Sequence, residues 1–385
     1  MAASFELPAD LRGILPSQWL QRAIDRGVIT SERYRIPAAS VQPASVDLRL
    51  GETAYRLRCS FLPEGERIET KLAELSMGQI DLRDGAILER NRPYLIPIIE
   101  ELDLPPTLAA KANPRSSTGR LDIFTRVITD EGHSFDEVPP GYRGRLYLEV
   151  VSRSFTIFVR TELSLNQLRL QAGKARRDDR QVVALHGEDP ILFSGSAPVP
   201  PGELVLADGL FLSVDLVGQA DGRVGFRAKK NSQLLDLTRR DHYDAEDFWE
   251  PVHRERGNRL VLEPEEFYLL ISKERVRIPP GFSAEMTAYD PTSGELRTHY
   301  AGFFDPGFGH TGHTPDTPVA TYPQQGSKAV MEVRAHDVPF MLQHGQRVAK
   351  LVFEELAEAP TILYGQDIGS SYQHQERMLS KHFRP

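Results

Sequence analysis

The chain has 385 residues, a formal net charge of −8, 28 prolines, 29 glycines and one cysteine. This length accommodates two domains, and the acidic balance argues against a sequence-independent grip on DNA or RNA, which needs a basic face. Because Cys59 stands alone, an intrachain disulfide is excluded and a reducing, cytoplasmic location is expected. We expect neither a membrane span nor a signal peptide, since no run of 18 apolar residues and no basic-then-apolar leader is present.

The predicted elements begin with a helix and continue as short strands. In "SQWLQRAIDRGVI" the apolar residues share one helical face, with Ser17 as the expected N-cap and Gly27 as the stop. The runs "SVDLRL", "RLYLEVV", "FTIFVR" and "LSLNQLRL" alternate partly between apolar and polar residues, which is typical of strands. Pro-Pro turns at 104–106 and 138–141 separate such runs. The pattern predicts a mainly β fold with a few short helices.

The second half of the chain repeats the first. The repeat indicates a duplicated domain, because solenoid units run only about 20–50 residues. The matching pairs are "PASVDLRLG" (43–51) with "FLSVDLVG" (211–218), "LERNRPYLI" (88–96) with "LEPEEFYLL" (262–270), and "LPPTLAAKANPRSSTGRLD" with "IPPGFSAEMTAYDPTSGELRT".

The repeat predicts the domain boundaries. We expect a first domain over 1–173, a linker over 174–205 and a second domain over 206–385. The charged stretch "QAGKARRDDRQ" is interpreted as part of an exposed connection. A short helix is expected within 237–258, an insertion for which the sequence indicates no function.

The loop "KANPRSSTGR" (111–120) places two arginines and two serines within six residues. Guanidinium forks and hydroxyls suit phosphate oxygens, which they bind through charge-assisted hydrogen bonds. The alternative is a solvated charged turn. The copy "PTSGELR" has Thr292 in place of Arg115 and Gly294 in place of Ser117, so the loop of the first copy is the better candidate for binding.

Glu149 stands in the middle of the apolar run "LYLEV". On an alternating strand, Tyr147 and Glu149 share one face while Leu146 and Leu148 share the other. A carboxylate in this position is costly unless it is paired or used. Glu149 is therefore either an outward-facing residue paired with a lysine or arginine, or a general base.

Together these segments resemble the dCTP deaminases of the trimeric deoxyuridine triphosphatase (dUTPase) superfamily, in the form that fuses two domains. The resemblance is carried by "LPSQWLQRAIDRGVI", "VQPASVDLRLG", "PRSSTGR", "GYRGRLYLEV" and "YGQDIGSSYQHQ". It implies tandem distorted β-barrels, hydrolytic deamination of dCTP to dUTP and ammonia in deoxynucleotide supply, and Mg²⁺ bound through the triphosphate. It also implies a homo-oligomer with trimer-like barrels that acts on free nucleotides, including dTTP or dUTP as further ligands, and not on nucleic acid polymers or membranes.

The resemblance implies roles for individual residues. Glu149 stands where the family has the glutamate that activates water for attack at cytosine C4, and Ser116 and Arg120 stand where the family has assisting residues. The tail residue Ser371 replaces a family lysine, and three residues separate Asp136 from the Pro-Gly turn that it should precede. The implied nucleotide contacts are Arg115, Ser117, Asp136, Tyr147, Tyr364, Ser371, Tyr372 and Gln375.

The two copies are not equivalent. The second has the better turn, "FFDPGFG", and it alone ends in the tail that closes over the nucleotide. We expect a composite site with the loop and Glu149 of the first copy, closed by the tail of this or a neighbouring chain. Which copy is catalytic stays open on sequence alone. The predicted second-copy equivalents of Ser116, Arg120, Asp136 and Glu149 are Ser293, Arg297, Asp305 and Glu332.

Three other functions were weighed. Zinc-dependent deaminases need more than one cysteine ligand, so no zinc is expected, and His310 and His313 have metal-like spacing without an evident third ligand. A dUTP diphosphatase, or a bifunctional enzyme that carries dCTP to dUMP, would use an aspartate-activated water at the phosphates. A non-catalytic nucleotide-binding protein is the remaining alternative, since the second copy has lost loop residues.

Overall fold

The computed structural model describes residues 5–288, 296–299, 302–310, 326–335, 337–365 and 378–385. The chain divides into two compact units, and each is treated separately below. Unit 1 comprises Met1–Ala175, Lys230–His242 and Leu356–Thr361. Unit 2 comprises Arg176–Lys229, Tyr243–Glu355 and Ile362–Pro385.

The described residues form five short helices and 27 strands, which confirms the prediction of a mainly β fold. The helices are α1 Ser17–Asp25, α2 Ile68–Leu75, α3 Ser116–Gly119, α4 Asp179–Glu188 and α5 Ala245–Phe248. The first strands are β1 Gly13–Ile14, β2 Ile29–Thr30, β3 Val46–Arg49, β4 Thr53–Leu57, β5 Ser76–Asp81, β6 Ala86–Leu88, β7 Tyr94–Asp103, β8 Leu108–Pro114, β9 Ile123–Thr129, β10 Glu137–Val138, β11 Arg143–Ser152, β12 Ile157–Val159 and β13 Ser164–Ala172. The others are β14 Leu192–Ser194, β15 Ala197–Pro198, β16 Leu210–Ser213, β17 Arg223–Ala228, β18 Leu235–Asp236, β19 Trp249–His253, β20 Arg259–Leu262, β21 Phe267–Val276, β22 Phe282–Ala288, β23 Leu296–His299, β24 Phe303–Phe304, β25 Ser327–Ala335, β26 Phe340–Gln343 and β27 Arg347–Glu355.

Helix α1 forms where the sequence predicts it, but its start differs from the prediction. Pro16 is the extended residue before the helix, and Ser17 is the first helical residue. The Ser17 hydroxyl lies 3.2 Å from that of Thr361, so it does not cap the backbone. Gly27 ends the helical segment with a φ of +75°, a conformation that glycine adopts without strain.

Two larger antiparallel sheets and a three-stranded sheet of order β18-β12-β6 build unit 1. The first has the order β1-β13-β8-β10, with β3 also paired to β13; the second has the order β5-β4-β7-β11-β9, with β2 also paired to β7. Strand β11 therefore lies between β7 and β9, at a position where both edges are hydrogen-bonded. Its residues Leu146, Leu148 and Val150 are fully buried, as alternation predicts for a core-facing set.

Unit 2 repeats the pairing of unit 1, which supports the duplication. Strand β25 lies between β21 and β23, as β11 lies between β7 and β9. Glu149 is opposite Leu95 on one side, and Glu332 is opposite Leu269 in the same way. On the other side the partners differ, because Arg126 faces Glu149 and His299 occupies the matching register position beside Glu332.

A glutamate carboxylate fixes the last residue of a short strand in each unit, β3 in unit 1 and β16 in unit 2. Glu100 accepts hydrogen bonds from the Arg49 backbone amide at 2.7 Å and from its Nε at 2.6 Å. Glu274 accepts the matching backbone bond from Ser213 at 2.9 Å. Ser213 thus corresponds to Arg49, and the sequence match that aligned it with Ser45 was wrong. Three identical letters specify register less strongly than a buried hydrogen bond does.

Residues 174–205 do not form the predicted linker. Asp178 and Gln181 exchange backbone-to-side-chain hydrogen bonds of 2.9 and 3.0 Å, the capping box that starts α4. Val182 and His186 of this helix are buried, and β14 continues the sheet of unit 2 through its pairing with β21. The prediction failed because the end of the charged stretch, which favoured a loop, is the N-terminus of α4: Asp178 caps the helix and Asp179 lies in its first turn.

The expected short helix within 237–258 is present as α5, and it precedes β19, which pairs with β17. Part of this insertion belongs to unit 1, where β18 pairs in parallel with β12. The aromatic rings of Tyr243, Phe248 and Phe383 contact one another in unit 2, with centroids between 5.1 and 6.4 Å apart. The insertion therefore supplies packing surface for the chain terminus.

Replacing Glu100 with alanine should lower the free energy of unfolding of unit 1 by about 3 kcal/mol, because it leaves the buried Arg49 guanidinium with only the half-exposed Glu162 as its carboxylate partner. The neighbouring variant Glu101→Ala is the control, since its ion pair with Arg145 is partly exposed and contributes less than about 1 kcal/mol. Urea unfolding followed by circular dichroism measures both. Equal losses in the two variants would contradict the assignment of Glu100 as the clamp of β3.

Candidate active site

The arginine-serine loop is a single helical turn that follows directly from a strand. Strand β8 ends at Pro114, Arg115 is extended with φ −67° and ψ 146°, and α3 follows. The backbone amide of Gly119 donates to the carbonyl of Arg115 at 3.0 Å, which closes the turn. Arg120 is only 7% exposed, so the loop does not fit the alternative of a solvated charged turn.

Arg115 is held by a carboxylate from another strand. Its guanidinium forms an ion pair with Asp47 of β3, whose side chain is almost fully buried. The Arg115 side chain keeps about a quarter of its surface exposed (27%), so the guanidinium is oriented and still accessible. Sequence reasoning missed Asp47 as a site residue. The available signal was the alternation of Val46 and Leu48 with Asp47, which turns this carboxylate away from the core.

Glu149 is a desolvated carboxylate. It is 1% exposed, because the segment 58–75, which includes α2, covers the face of β11 that alternation assigns to Tyr147 and Glu149. Burial raises the pKa of Glu149 above its ordinary value, while the hydrogen bond from Ser60 and the charge of Arg126 act in the opposite direction. The Ser60 hydroxyl donates to Oε2 at 2.5 Å. The outward-facing alternative for Glu149 is therefore wrong.

Arg126 brings a positive charge to the register position opposite Glu149. Its guanidinium carbon lies 4.0 Å from the ring centroid of Phe124 and 4.4 Å from that of Phe135. Two aromatic faces fix the plane of the guanidinium and favour its charge. The same charge acts on Asp136, whose pKa it lowers against the larger effect of burial.

Asp136 occupies a left-handed backbone conformation with φ +64°, and its Oδ1 accepts the Val127 amide at 2.8 Å. Burial raises the pKa of Asp136 to about 7; the Val127 hydrogen bond and the charges of Arg126 and Lys111 oppose that rise. The Asp136 carboxyl therefore stabilises the start of the turn through the Val127 amide. It does not occupy the position directly before the Pro-Gly pair.

Tyr147 supports the segment that covers Glu149. Its ring belongs to a buried apolar cluster with Leu57, Ile68 and Ile128, and its hydroxyl donates to Glu69 of α2 at 3.2 Å. Burial raises the pKa of Tyr147. These contacts favour a packing role over the nucleotide contact that the sequence implied.

The second-copy residues do not all occupy the predicted equivalent positions. Strand register places Arg297 at the position of Phe124, not of Arg120, because β23 pairs with β25 as β9 pairs with β11. Asp305 follows β24 as Pro139 follows β10, so it does not correspond to Asp136. The letter match failed because it paired residues by identity alone, whereas strand pairing decides which residues correspond.

The tail is described only in part. Tyr364 of unit 2 donates its amide to the Pro306 carbonyl at 2.9 Å, and its ring lies 5.8 Å from that of Phe308. It therefore packs on the "DPGFG" turn. The predicted site residues Ser293, Ser371, Tyr372 and Gln375 lie outside the described residues, as does His313.

Two consecutive segments of the chain match the two domains of one protein family. Residues 11–174 match the 2'-deoxycytidine 5'-triphosphate deaminase N-terminal domain, and residues 178–383 match the C-terminal domain of the same family. The chain belongs to the dCTP deaminase family. The second match begins at the start of α4, in agreement with the structured segment that replaces the predicted linker.

Relatives within the dCTP deaminase family agree. A crystal structure of 2'-deoxycytidine 5'-triphosphate deaminase from Agrobacterium tumefaciens is 42% identical, covers 90% of this chain and 99% of its own, and has a TM-score of 0.82. The dUMP-forming dCTP deaminase of Methanothermobacter thermautotrophicus is 30% identical over 36% of this chain and 67% of its own length. The dCTP deaminase of Natronomonas pharaonis is 30% identical over 36% of this chain and 68% of its own.

These findings confirm the predicted family and the mainly β fold of dUTPase-like type, and they show that the chain is a hydrolytic deaminase by family. The roles of single residues stay predictions. Within the described ranges, no group of three or more His, Cys, Asp or Glu side chains is arranged to hold a metal ion. Nor does any helix there have the length and apolar character needed to cross a membrane.

Replacing Asp136 with asparagine should flatten the pH dependence of stability between about pH 4 and pH 7. The pKa of Asp136 is about 7 in the folded chain, above its ordinary value of 3.8. Its contribution is therefore fully present below about pH 4 and is lost as pH rises through 7, whereas asparagine keeps an acceptor for the Val127 amide at every pH.

Urea midpoints measured at several pH values test this. The wild type should lose more stability than Asp136→Asn between pH 4 and 7, and the variant should be the more stable above about pH 8. Parallel curves for the two proteins would show that Asp136 titrates normally.

Proposed function

We propose that this chain deaminates dCTP hydrolytically to dUTP and ammonia, with Glu149 of unit 1 as the general base. The observation that carries the proposal is the desolvated Glu149 carboxylate with its raised pKa, in the same unit as the arginine-serine loop. Relatives that are named dCTP deaminases supply the substrate class. A deaminase needs its carboxylate at the base end of the nucleotide, and Glu149 is proposed to occupy that place.

Glu149 first takes a proton from water while the water oxygen bonds to C4 of cytosine. The carboxyl then returns the proton to the amino nitrogen, the bond from C4 to that nitrogen breaks, and ammonia leaves. The remaining hydroxyl proton on C4 moves to N3, which gives the carbonyl of uracil. A carboxyl group whose pKa is raised toward neutrality serves both steps better than an ordinary glutamate, because it is a stronger base and still a competent acid.

The loop of unit 1 is proposed to hold the nucleotide. Arg115, oriented by Asp47, would bind phosphate oxygens through its exposed edge, and Ser117 would contribute a further hydrogen bond. Arg120 and Ser116 are proposed to assist at the reacting base. A buried guanidinium such as that of Arg120 stabilises negative charge that develops on a bound ligand.

Several further features rest on the family resemblance and are proposed with it. Mg²⁺ would arrive with the triphosphate as part of the substrate, and the tail would close over the nucleotide through Tyr364, Ser371, Tyr372 and Gln375. We also propose a homo-oligomer with trimer-like barrels, a cytoplasmic location, and binding of dTTP or dUTP.

A bifunctional reaction is the second candidate, because the Methanothermobacter relative is named as dUMP-forming. That reaction adds cleavage of pyrophosphate, for which a carboxylate base is needed at the phosphates. Asp47, the carboxylate in contact with the loop arginine, is engaged in an ion pair with Arg115. Because this carboxylate is engaged by the loop arginine, the contact favours deamination alone.

Glu149→Gln should lower kcat for ammonia release from dCTP by about 10²–10⁴-fold, because the amide cannot take the proton from water. The Kd for dCTP should change little, since the amide is nearly the same size as the carboxyl group. Glu332→Gln is the matched control, because Glu332 occupies the same register position in unit 2. Loss of activity in Glu332→Gln with retention in Glu149→Gln would place the chemistry in the other copy.

Separate measurement of ammonia and pyrophosphate from dCTP decides between the two reactions. We expect ammonia and dUTP in equal amounts with no pyrophosphate. Pyrophosphate released at the rate of ammonia would instead establish the bifunctional, dUMP-forming reaction. CTP and dCMP are the controls for the sugar and for the triphosphate.

A further inference from the structure

Ser60 lies in the connection between β4 and β5, which runs over residues 58–75 and includes α2. Ser60 itself is exposed, whereas Glu149, to which it donates at 2.5 Å, is buried. The connection is anchored by apolar contacts of Ile68 and Leu72 in the cluster that contains Tyr147. The Ile68 backbone amide donates to Oδ1 of Asp130 at 2.8 Å, which fixes the start of α2. The serine is thus carried by a segment with two independent attachments to the sheet.

The Ser60 bond is directed at one carboxylate oxygen. Among the described residues, the Glu149 carboxylate accepts a hydrogen bond from Ser60 alone, and it does so through Oε2. The neighbouring strands present Leu95 from β7 and Arg126 from β9. Leu95 cannot donate, and Arg126 acts on Glu149 through its charge. Oε1 is therefore the oxygen left for water.

A carboxylate without a fixed rotamer loses catalytic power, because a general base must lie within hydrogen-bond reach of the proton that it takes. A single donor on one oxygen fixes the rotation of the carboxyl group and selects the other oxygen for chemistry. A hydrogen bond to the ionised form also favours that form, which is the form that acts as a base.

We propose that Ser60 is a positioning residue for the reaction, whose hydroxyl holds Oε2 of Glu149 so that Oε1 is presented to the attacking water. The inference rests on the proposed function, since it assumes that Glu149 is the base. Ser60 is proposed to act through its hydrogen bond to the Glu149 carboxylate.

Unit 2 departs from unit 1 at this connection. Strands β17 and β19 correspond to β4 and β5, and the residues between them include Lys230–His242, which belong to unit 1 and not to the unit that holds Glu332. The side chain of Ser232 in this stretch donates to the carbonyl of Gln233. The connection that carries Ser60 to Glu149 lies wholly within unit 1, whereas the matching connection of the second copy is divided between the two units.

The test compares the pH dependence of kcat/KM for ammonia release in the wild type, Ser60→Ala and Ser60→Thr. Loss of the hydroxyl removes a bond that favours the ionised carboxylate, so the acid limb of Ser60→Ala should move up by about one pH unit. Below that limb the activity should fall about tenfold, with KM for dCTP unchanged. Ser60→Thr keeps a hydroxyl and should restore the wild-type limb.

Ser76→Ala is the control, because Ser76 ends the same connection and its hydroxyl donates only to the nearby Gly78 carbonyl among the described residues. It should leave the profile unchanged. The substrate phosphates titrate alike in all four proteins, so differences between profiles belong to the enzyme. Since Ser60 is exposed, thermal unfolding should show that all variants fold.

An unshifted acid limb in Ser60→Ala, or a shift that Ser60→Thr does not reverse, overturns the inference. The Glu149→Gln variant separates this failure from that of the proposed function. If Glu149→Gln is inactive while the Ser60→Ala limb stays in place, only the role of Ser60 is wrong. If Glu149→Gln keeps its activity, the base is elsewhere and both proposals fail.

Discussion

Burial of the Glu149 carboxylate costs free energy, and the residues that surround it in unit 1 both impose that penalty and partly offset it. The glutamate is on β11, which is hydrogen-bonded along both edges, so its backbone position has little freedom. The segment 58–75 removes water from it, while Ser60 and Arg126 partly offset the penalty for the charged form. The balance leaves a carboxylate that is more basic than usual, which is the property that water activation requires.

The two units share the strand pairing and the glutamates of this arrangement, but they differ in the side chains beside the central glutamate. Both units retain a glutamate, Glu100 or Glu274, that accepts a backbone hydrogen bond at the end of an early strand. Both also place a glutamate on the central strand, yet the residue across from it is Arg126 in one unit and His299 in the other. Backbone hydrogen bonding preserves a fold while side chains diverge, because the sheet does not depend on their identity.

Local sequence patterns were sufficient to predict the strand faces, the end of the first helix and the family. Alternation predicted the two faces around Glu149, glycine predicted the end of α1, and the repeat and its motifs predicted the family. The capping box of Asp178 and Gln181 is also a local signal for the start of α4, but the charge of the stretch favoured a loop. Contacts such as those of Ser60 with Glu149 and Asp47 with Arg115 join residues that are far apart in the chain. No local periodicity encodes them, and letter matching likewise misplaced Arg297 and Asp305 because it ignores register.

The central claim is that the chemistry takes place at Glu149 in unit 1. A crystal structure of the Glu149→Gln variant with dCTP tests it most directly, because the substrate would remain uncleaved. The account predicts cytosine C4 about 3–4 Å from a water that is hydrogen-bonded to the side chain at position 149, with the triphosphate against Arg115. A cytosine bound beside Glu332, with an empty loop in unit 1, would contradict it.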